Sequence, residues 1–291
     1  MPSLDGRVVV ITGAGRGLGR EHALLAASEG ARVVVNDAGC APDGTGGDPA
    51  VAQAVADEIV AAGGTAVASS ADVATLEGAA AVLALALGSY GALDGLVNNA
   101  GVLRDRMFVN MDPDDWDAVI RGHLRTTFCA SRVAAAHWRE LAKAGGTVDA
   151  AIVNTPSTSG LIGQVGQSNY GAAKAGIAAM TVILADELAR YGVRVNGVVP
   201  VARTRMTQDV PQFRELLAAP ADPAAFDTYH PGNVSPLVVW LLGVSSRVSG
   251  RIFYSKGGEI RQFLGWHYGA TIERPHRWTV AELDRELAAI A

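Results

Sequence analysis

Tyr170 and Lys174 stand four residues apart in the stretch Ser168-Asn169-Tyr170-Gly171-Ala172-Ala173-Lys174, and Ser157 lies thirteen residues upstream of the tyrosine, just past an apolar run. On a helix, side chains four apart share one face, so an ammonium can sit beneath a phenol. A phenol is a poor base at neutral pH, with an ordinary pKa of about 10, and a neighbouring cation favours its ionised form. The three residues together suit a proton-transfer site. The pair alone also suits a plain amphipathic helix with a half-buried tyrosine, so the rest of the chain has to decide.

The elements that would position these residues are legible as an alternation. Short β-branched runs at 7–12, 32–36, 65–69, 93–98, 148–155, 193–199 and 251–254 are separated by alanine-rich helical patterns around 18–29, 50–62, 75–88, 113–142, 168–191 and 234–243. This order predicts an α/β fold, a single doubly wound domain of Rossmann type with a mostly parallel seven-stranded sheet flanked by helices. We expect residues 1–258 to form the dinucleotide-binding catalytic domain and 259–291 a C-terminal extension of it. Three segments depart from the pattern: the Gly/Asp-rich loop 37–49, the Pro-rich stretch 204–236 and the tail after Gly258. In the tail, Thr279 is placed to cap a short helix over Val280-Ala281-Glu282-Leu283.

The first strand runs into Thr12-Gly13-Ala14-Gly15-Arg16-Gly17-Leu18-Gly19 and then a helical pattern. Glycines let the backbone approach a pyrophosphate, and a helix N-terminus offers free N–H donors and the positive end of a dipole. Asp37 stands at the end of the second strand, where a carboxylate accepts hydrogen bonds from ribose hydroxyls and repels a 2′-phosphate. NAD is therefore expected over NADP. Arg16 and Arg32 are the residues that could meet a phosphate instead, and Asn36-Asp37-Ala38-Gly39 also has ordinary turn chemistry.

Composition narrows the class. Acidic residues outnumber basic ones, giving a net charge of -5, and no basic patch is visible, so no nucleic-acid partner is expected. Cys40 and Cys129 form neither a metal spacing nor a disulfide framework, so no metal is expected and a reducing cytoplasm is the natural setting. The N-terminus lacks a basic segment followed by an apolar stretch, and apolar runs break before spanning length, so no signal peptide and no membrane association are expected.

These ordered motifs resemble the short-chain dehydrogenases/reductases: the T-G-x-x-x-G-x-G loop from Thr12 to Gly19, Asn98-Asn99-Ala100-Gly101, Ser157, and Tyr170 with Lys174. The resemblance covers roughly Leu4 to Gly258. Within the family, Val35-Asn36-Asp37, Gly122-His123-Leu124-Arg125, Gly166 to Lys174 and Arg203-Thr204-Arg205-Met206-Thr207 resemble the (3R)-hydroxyacyl-CoA dehydrogenase part of peroxisomal multifunctional enzyme type 2 and its bacterial single-domain relatives.

The resemblance implies roles. Tyr170 would be the general acid/base, Lys174 would lower its pKa and hold the nicotinamide ribose, and Ser157, preferred to Thr155 and Ser159, would bind the substrate oxygen. Gly13, Arg16, Gly17, Leu18, Gly19, Asp37, Asn99, Ala100, Gly101, Pro200, Val201 and Thr204 would contact the cofactor. Asp72 would meet the adenine amine with Val73 beside the ring, although Asp72 also suits a helix cap or loop carboxylate, and Asn99 also suits a tie between strands. His123 stands where the family often has Asn, either extending a proton relay from Lys174 or serving structure. Val201 stands where the family has Gly, which requires a negative φ.

The expected activity is NAD-dependent interconversion of a secondary alcohol and a ketone. The small-molecule substrate would be a 3-hydroxyacyl-CoA or a hydroxysteroid, with Phe263, Leu264, Trp266 and Tyr268 either lining an extended site or packing elsewhere. The family also implies a homo-oligomer, a dimer or tetramer. The alternative is a dinucleotide-binding regulatory protein that kept the fold without turnover.

Overall fold

The computed structural model describes residues 3–204, 217–222, 224–265 and 267–287. The β-branched runs form strands β1 Val8–Thr12, β2 Arg32–Asn36, β3 Thr65–Ser69, β4 Gly95–Asn98, β5 Ala150–Asn154, β6 Val193–Pro200 and β7 Ile252–Lys256. They pair in parallel in the order β3-β2-β1-β4-β5-β6-β7, so all their C-terminal ends share one edge. That order reverses direction between β1 and β4, the point where a doubly wound sheet opens a crevice for a ligand.

The expectation of seven strands is corrected by one. β8 Glu259–Phe263 pairs antiparallel to β7, with Lys256 opposite Glu259. The two residues between them, Gly257 and Gly258, make a tight hairpin, and Gly257 has φ +53 as such a turn requires. Polar residues along an edge strand hide this element from a search for apolar runs.

The helices are α1 Gly17–Ser28, α2 Ala50–Ala61, α3 Leu76–Tyr90, α4 Pro113–Ile120, α5 Thr126–Lys143, α6 Thr158–Leu161, α7 Ser168–Ala189, α8 Ser235–Leu242 and α9 Val280–Glu286, of which α1, α2 and α8 cover one face of the sheet and α3, α5 and α7 the other. The pattern expected as one helix over 113–142 is α4 and α5 joined by a π-helical turn, Arg121–Arg125. A π turn inserts a residue without ending the helix, so apolar periodicity alone does not reveal it. Thr279 caps α9 with a full capping box, its hydroxyl accepting from the Glu282 N–H while the Glu282 carboxylate accepts from the Thr279 N–H.

Alternation along the strands builds two cores. Val9 and Ile11 of β1 and Val33 and Val35 of β2 point into a cluster with α1, α2 and α8, while Val8, Val10 and Val34 point into one with α3, α5 and α7. The largest fully buried side chain of the second cluster is Trp138, whose Nε1 donates to the Leu93 carbonyl at 2.7 Å. Phe263 packs partly buried against a third, smaller cluster, whereas Leu264 and Tyr268 are exposed. Trp266 and the motif residues Arg205, Met206 and Thr207 lie outside the described residues. No helix among the described residues is long and apolar enough to cross a membrane.

Replacing Trp138 with Ala should remove both the packing and the Leu93 hydrogen bond, at a cost of about 3–5 kcal/mol in unfolding free energy. Urea denaturation measures it; a loss under about 1 kcal/mol would contradict this role for Trp138.

Candidate active site

Each proposed site residue follows the C-terminal end of a strand or stands on a helix packed beside that edge. After β1, Gly13 adopts φ +63, and a Cβ there would lie 2.7 Å from the Ala100 Cα, so the glycine loop and the turn after β4 touch backbone to backbone. Asn99 secures the contact: its Nδ2 donates to the carbonyls of Thr12 at 3.2 Å and Gly13 at 3.0 Å. The Thr12 hydroxyl accepts from the N–H groups of Asn99 and Ala100. Asn99 is thus a structural tie between strands, one of the two roles its sequence allows.

Arg16 caps α1 without a side-chain hydrogen bond, so the first-turn amides around Gly17, Leu18 and Gly19 are left for an anion. Thr204 lies beside this turn, its Cγ2 3.7 Å from where a Gly17 Cβ would be. The Asp37 carboxylate holds the loop from the other side, accepting from the Gly15 N–H at 2.8 Å and the Gly39 N–H at 2.7 Å. Each oxygen keeps capacity for a further donor, so the turn role and a ribose contact are compatible. Arg32, by contrast, begins β2, about 16 Å of extended chain away from Asp37, too far to share its ligand.

Asp72 accepts from the Ala74 N–H at 2.9 Å and pairs with Arg121 of the π turn at 2.5 Å. Burial works against its charge, yet the Arg121 guanidinium and that N–H hold it below the ordinary carboxylate range. The cap of α3 is Thr75 rather than Asp72. Val73 is buried in the core beneath the sheet edge. Past β6, Pro200 is the last strand residue, and Val201 donates its N–H to the Ser255 carbonyl at 2.9 Å. No non-glycine residue among those described has a positive φ, so Val201 meets its backbone requirement.

Ser157, Tyr170 and Lys174 converge. Ser157 precedes α6, and its Oγ accepts from the Ser159 N–H at 3.2 Å and lies near enough to Tyr170 to favour its ionised form. Lys174, only 3 % exposed, lies 5.4 Å from the centre of the Tyr170 ring and donates to the Thr155 carbonyl at 2.6 Å. Burial sets the titration of both: it pulls the Lys174 ammonium down to about 7 and pushes the Tyr170 phenol up to about 12. The Ser157 hydrogen bond pulls the phenol down and the Asp105 charge pushes it further up. The expected lowering of the phenol by Lys174 is not what sets its value among the protein's own groups: desolvation of the phenolate dominates, and the opposing influence comes from Ser157.

His123 sits in the π turn, its ring edge-on to Tyr170 with centroids 5.0 Å apart. Its Nε2 lies 2.7 Å from the Val102 carbonyl and 3.1 Å from the Val102 N–H, and its Nδ1 is buried without a partner. Burial first, and Lys174 second, hold the imidazole well below its ordinary value, so it stays neutral. Gly101 makes room for it, since a Cβ there would come within 2.0 Å of the His123 Cε1.

Sequence reasoning missed Asp105, Gln167 and Asn169. Asn169 is fully buried and donates to the carbonyls of Arg104 and Asp115, fixing the start of α7. Asp105 reads in sequence as one charge in Arg104-Asp105-Arg106, and only the fold brings it to Gln167.

The sequence matches the short chain dehydrogenase family over residues 7–215. It is 46% identical over 261 residues to the hydroxyacyl-CoA dehydrogenase ChsB1 of Mycobacterium tuberculosis, covering 88% of this chain and 79% of that one. It is 38% identical over 284 residues to peroxisomal multifunctional enzyme type 2 of Mus musculus, covering 97% of this chain but 36% of that one. The crystal structure of a short chain dehydrogenase from Mycobacterium avium superposes with a TM-score of 0.87 at 50% identity, covering 99% of this chain and 95% of the other. Members of this family bind a nicotinamide dinucleotide, and the glycine turn, the uncapped α1 and Asp37 fit one.

Between about 7, its value in the folded protein, and 10.5, its ordinary value, Lys174 binds fewer protons folded than unfolded, so this group adds stability as pH rises through that window. The urea midpoint of the wild type should therefore climb relative to that of Lys174→Met across it. Parallel curves would show that Lys174 is not held neutral by burial.

Proposed function

The chain belongs to the short-chain dehydrogenase family, and we propose that it interconverts a secondary alcohol and a ketone with NAD, its substrate a 3-hydroxyacyl-CoA. The carrying observation is the convergence of Ser157, Tyr170 and Lys174 beside the glycine turn, on the edge where the sheet reverses. The substrate class rests on the likeness to ChsB1, with a hydroxysteroid as the rival for the same chemistry.

The dinucleotide supplies the hydride donor or acceptor. In reduction, Tyr170 gives its proton to the carbonyl oxygen while Ser157 donates a hydrogen bond to the same atom, stabilising developing charge. A phenol pushed up to about 12 keeps that proton at neutral pH, ready to be given. In oxidation the phenol must first lose it, and the phenolate then takes the proton of the substrate hydroxyl that Ser157 holds. Lys174, fixed by the Thr155 carbonyl, holds the nicotinamide ribose, and neutral His123 positions the Tyr170 ring rather than titrating near neutrality. Asp37 favours a free ribose over a 2′-phosphate, which selects NAD. Asp72 is assigned to the adenine.

The same reading includes a homo-oligomer, a dimer or tetramer, supported by the apolar Phe128 of α5 and Val182 and Ile183 of α7, each about half exposed. It includes a cytoplasmic setting, supported by Cys40 and Cys129 as free thiols.

Tyr170→Phe should still bind NADH, seen by fluorescence titration, yet reduce acetoacetyl-CoA at least about a hundredfold more slowly. Near wild-type turnover would remove Tyr170 from catalysis, and NADH binding without any turnover by the wild type would favour a regulatory protein. For the cofactor, kcat/KM should be at least about tenfold higher with NADH than NADPH, and Asp37→Ala should narrow the gap. Equal values in the wild type would refute the role of Asp37.

A further inference from the structure

Behind Ser157 runs a chain of hydrogen bonds that ends on a carboxylate. The Ser159 hydroxyl donates to the Gln167 Oε1 at 2.7 Å, and the Gln167 Nε2 donates to the Asp105 Oδ2 at 2.7 Å. The other Asp105 oxygen, Oδ1, is buried with no partner. The loop carrying Asp105 is strapped to the one carrying Gln167, since the Arg106 N–H donates to the Gly166 carbonyl at 2.9 Å and Arg106 and Gln167 form a parallel β-bridge.

The direction of every bond in this chain follows from its end. An ionised carboxylate only accepts, so the Gln167 carboxamide must present its NH2 to Asp105 and its oxygen to Ser159. Ser159 then spends its one hydroxyl proton on Gln167 and offers Ser157 only its backbone N–H, at 3.2 Å. Its Oγ, 3.5 Å from the Ser157 Oγ, is a weak acceptor that a substrate oxygen at normal distance displaces. Were the carboxamide reversed, the Ser159 hydroxyl would be released to donate to the Ser157 Oγ instead.

We propose that Asp105 is a positioning residue, which through Gln167 and Ser159 keeps the Ser159 hydroxyl proton off Ser157 and leaves the Ser157 proton for the substrate oxygen. This rests on the reaction proposed above. Asp105 also acts on Tyr170 through its charge, which opposes phenolate formation and so favours the proton-donating form. The charged groups around Asp105 are Arg106, whose charge opposes the effect of burial, and the Arg104 and Arg106 guanidinia, both paired with Asp115 of α4 at 3.7 Å. Burial nevertheless holds the Asp105 carboxyl above the ordinary carboxylate range.

Two measurements on the full chain test the proposal. In the 1H–15N spectrum, the Gln167 side-chain amide should shift as pH falls through Asp105 protonation, lose that response in Asp105→Asn, and move in Ser159→Ala. A Gln167 amide indifferent to pH or to Ser159→Ala overturns the proposal, whatever the enzyme turns over. With acetoacetyl-CoA and NADH, Ser159→Ala and Asp105→Asn should lower kcat by about tenfold with KM changed less than about twofold, while Asp105→Glu recovers part of the loss. A kcat for Ser159→Ala within about twofold of wild type also overturns it, and Ser159→Ala, a small change at a half-buried site, keeps the test open if Asp105→Asn fails to fold. A wild type inactive on acetoacetyl-CoA sinks the substrate assignment instead, and the amide measurement still decides the proposal.

Discussion

A buried ammonium is the constraint around which this site is organised. Lys174 is almost wholly removed from water, and the carbonyl of Thr155 supplies its hydrogen-bond acceptor, 2.6 Å away. That bond joins α7 to the segment leaving β5, and the same segment carries Ser157. Tyr170, one turn before Lys174 on α7, is thereby brought to the Ser157 hydroxyl. A buried lysine left without a partner would be costly, so the contact that stabilises it also fixes the distance between α7, which holds the Tyr170 phenol, and the segment that holds the Ser157 hydroxyl. Burial exacts a chemical consequence as well, since it brings the Lys174 ammonium near neutrality and raises the Tyr170 phenol.

The sheet makes this arrangement possible by presenting one edge. Parallel strands deliver the glycine turn, Asp37, the Asn99 turn and Ser157 to the same side, and the reversal between β1 and β4 leaves an opening there. Polar side chains inside the sheet keep its strands in step near that opening: the Asn98 Nδ2 donates to the Asn154 Oδ1 and to the Ser131 hydroxyl, and the Asn154 Nδ2 donates to Thr181 of α7. The π turn between α4 and α5 then turns His123 into the site, against Tyr170 and the space left by Gly101.

Much of this was legible in the sequence, for identifiable reasons. Buried parallel strands must be apolar on both faces, so Val8 to Ile11 and Arg32 to Val35 announce themselves as β-branched runs. The four-residue spacing of Tyr170 and Lys174 and the ordered glycines carry their geometry in their spacing. Other features depend on contacts between distant segments. β8 is a polar edge strand whose only signal is the Gly257-Gly258 turn, and the π turn leaves the apolar pattern of its helix intact. Asp105 and Gln167 meet only because two loops are strapped together, and the titration of Lys174 is set by burial, which spacing does not encode.

The central claim is that a hydride passes between a nicotinamide and a carbon whose oxygen is held by Ser157 and Tyr170. NADH deuterated at the transferring position of nicotinamide C4, mixed with acetoacetyl-CoA and the protein, tests it by mass spectrometry of the product. The account predicts one deuterium on the carbon that gains the hydroxyl, with formation of this product strongly suppressed in Tyr170→Phe. Unlabelled hydroxyacyl product, or equal labelling rates in wild type and Tyr170→Phe, would contradict it.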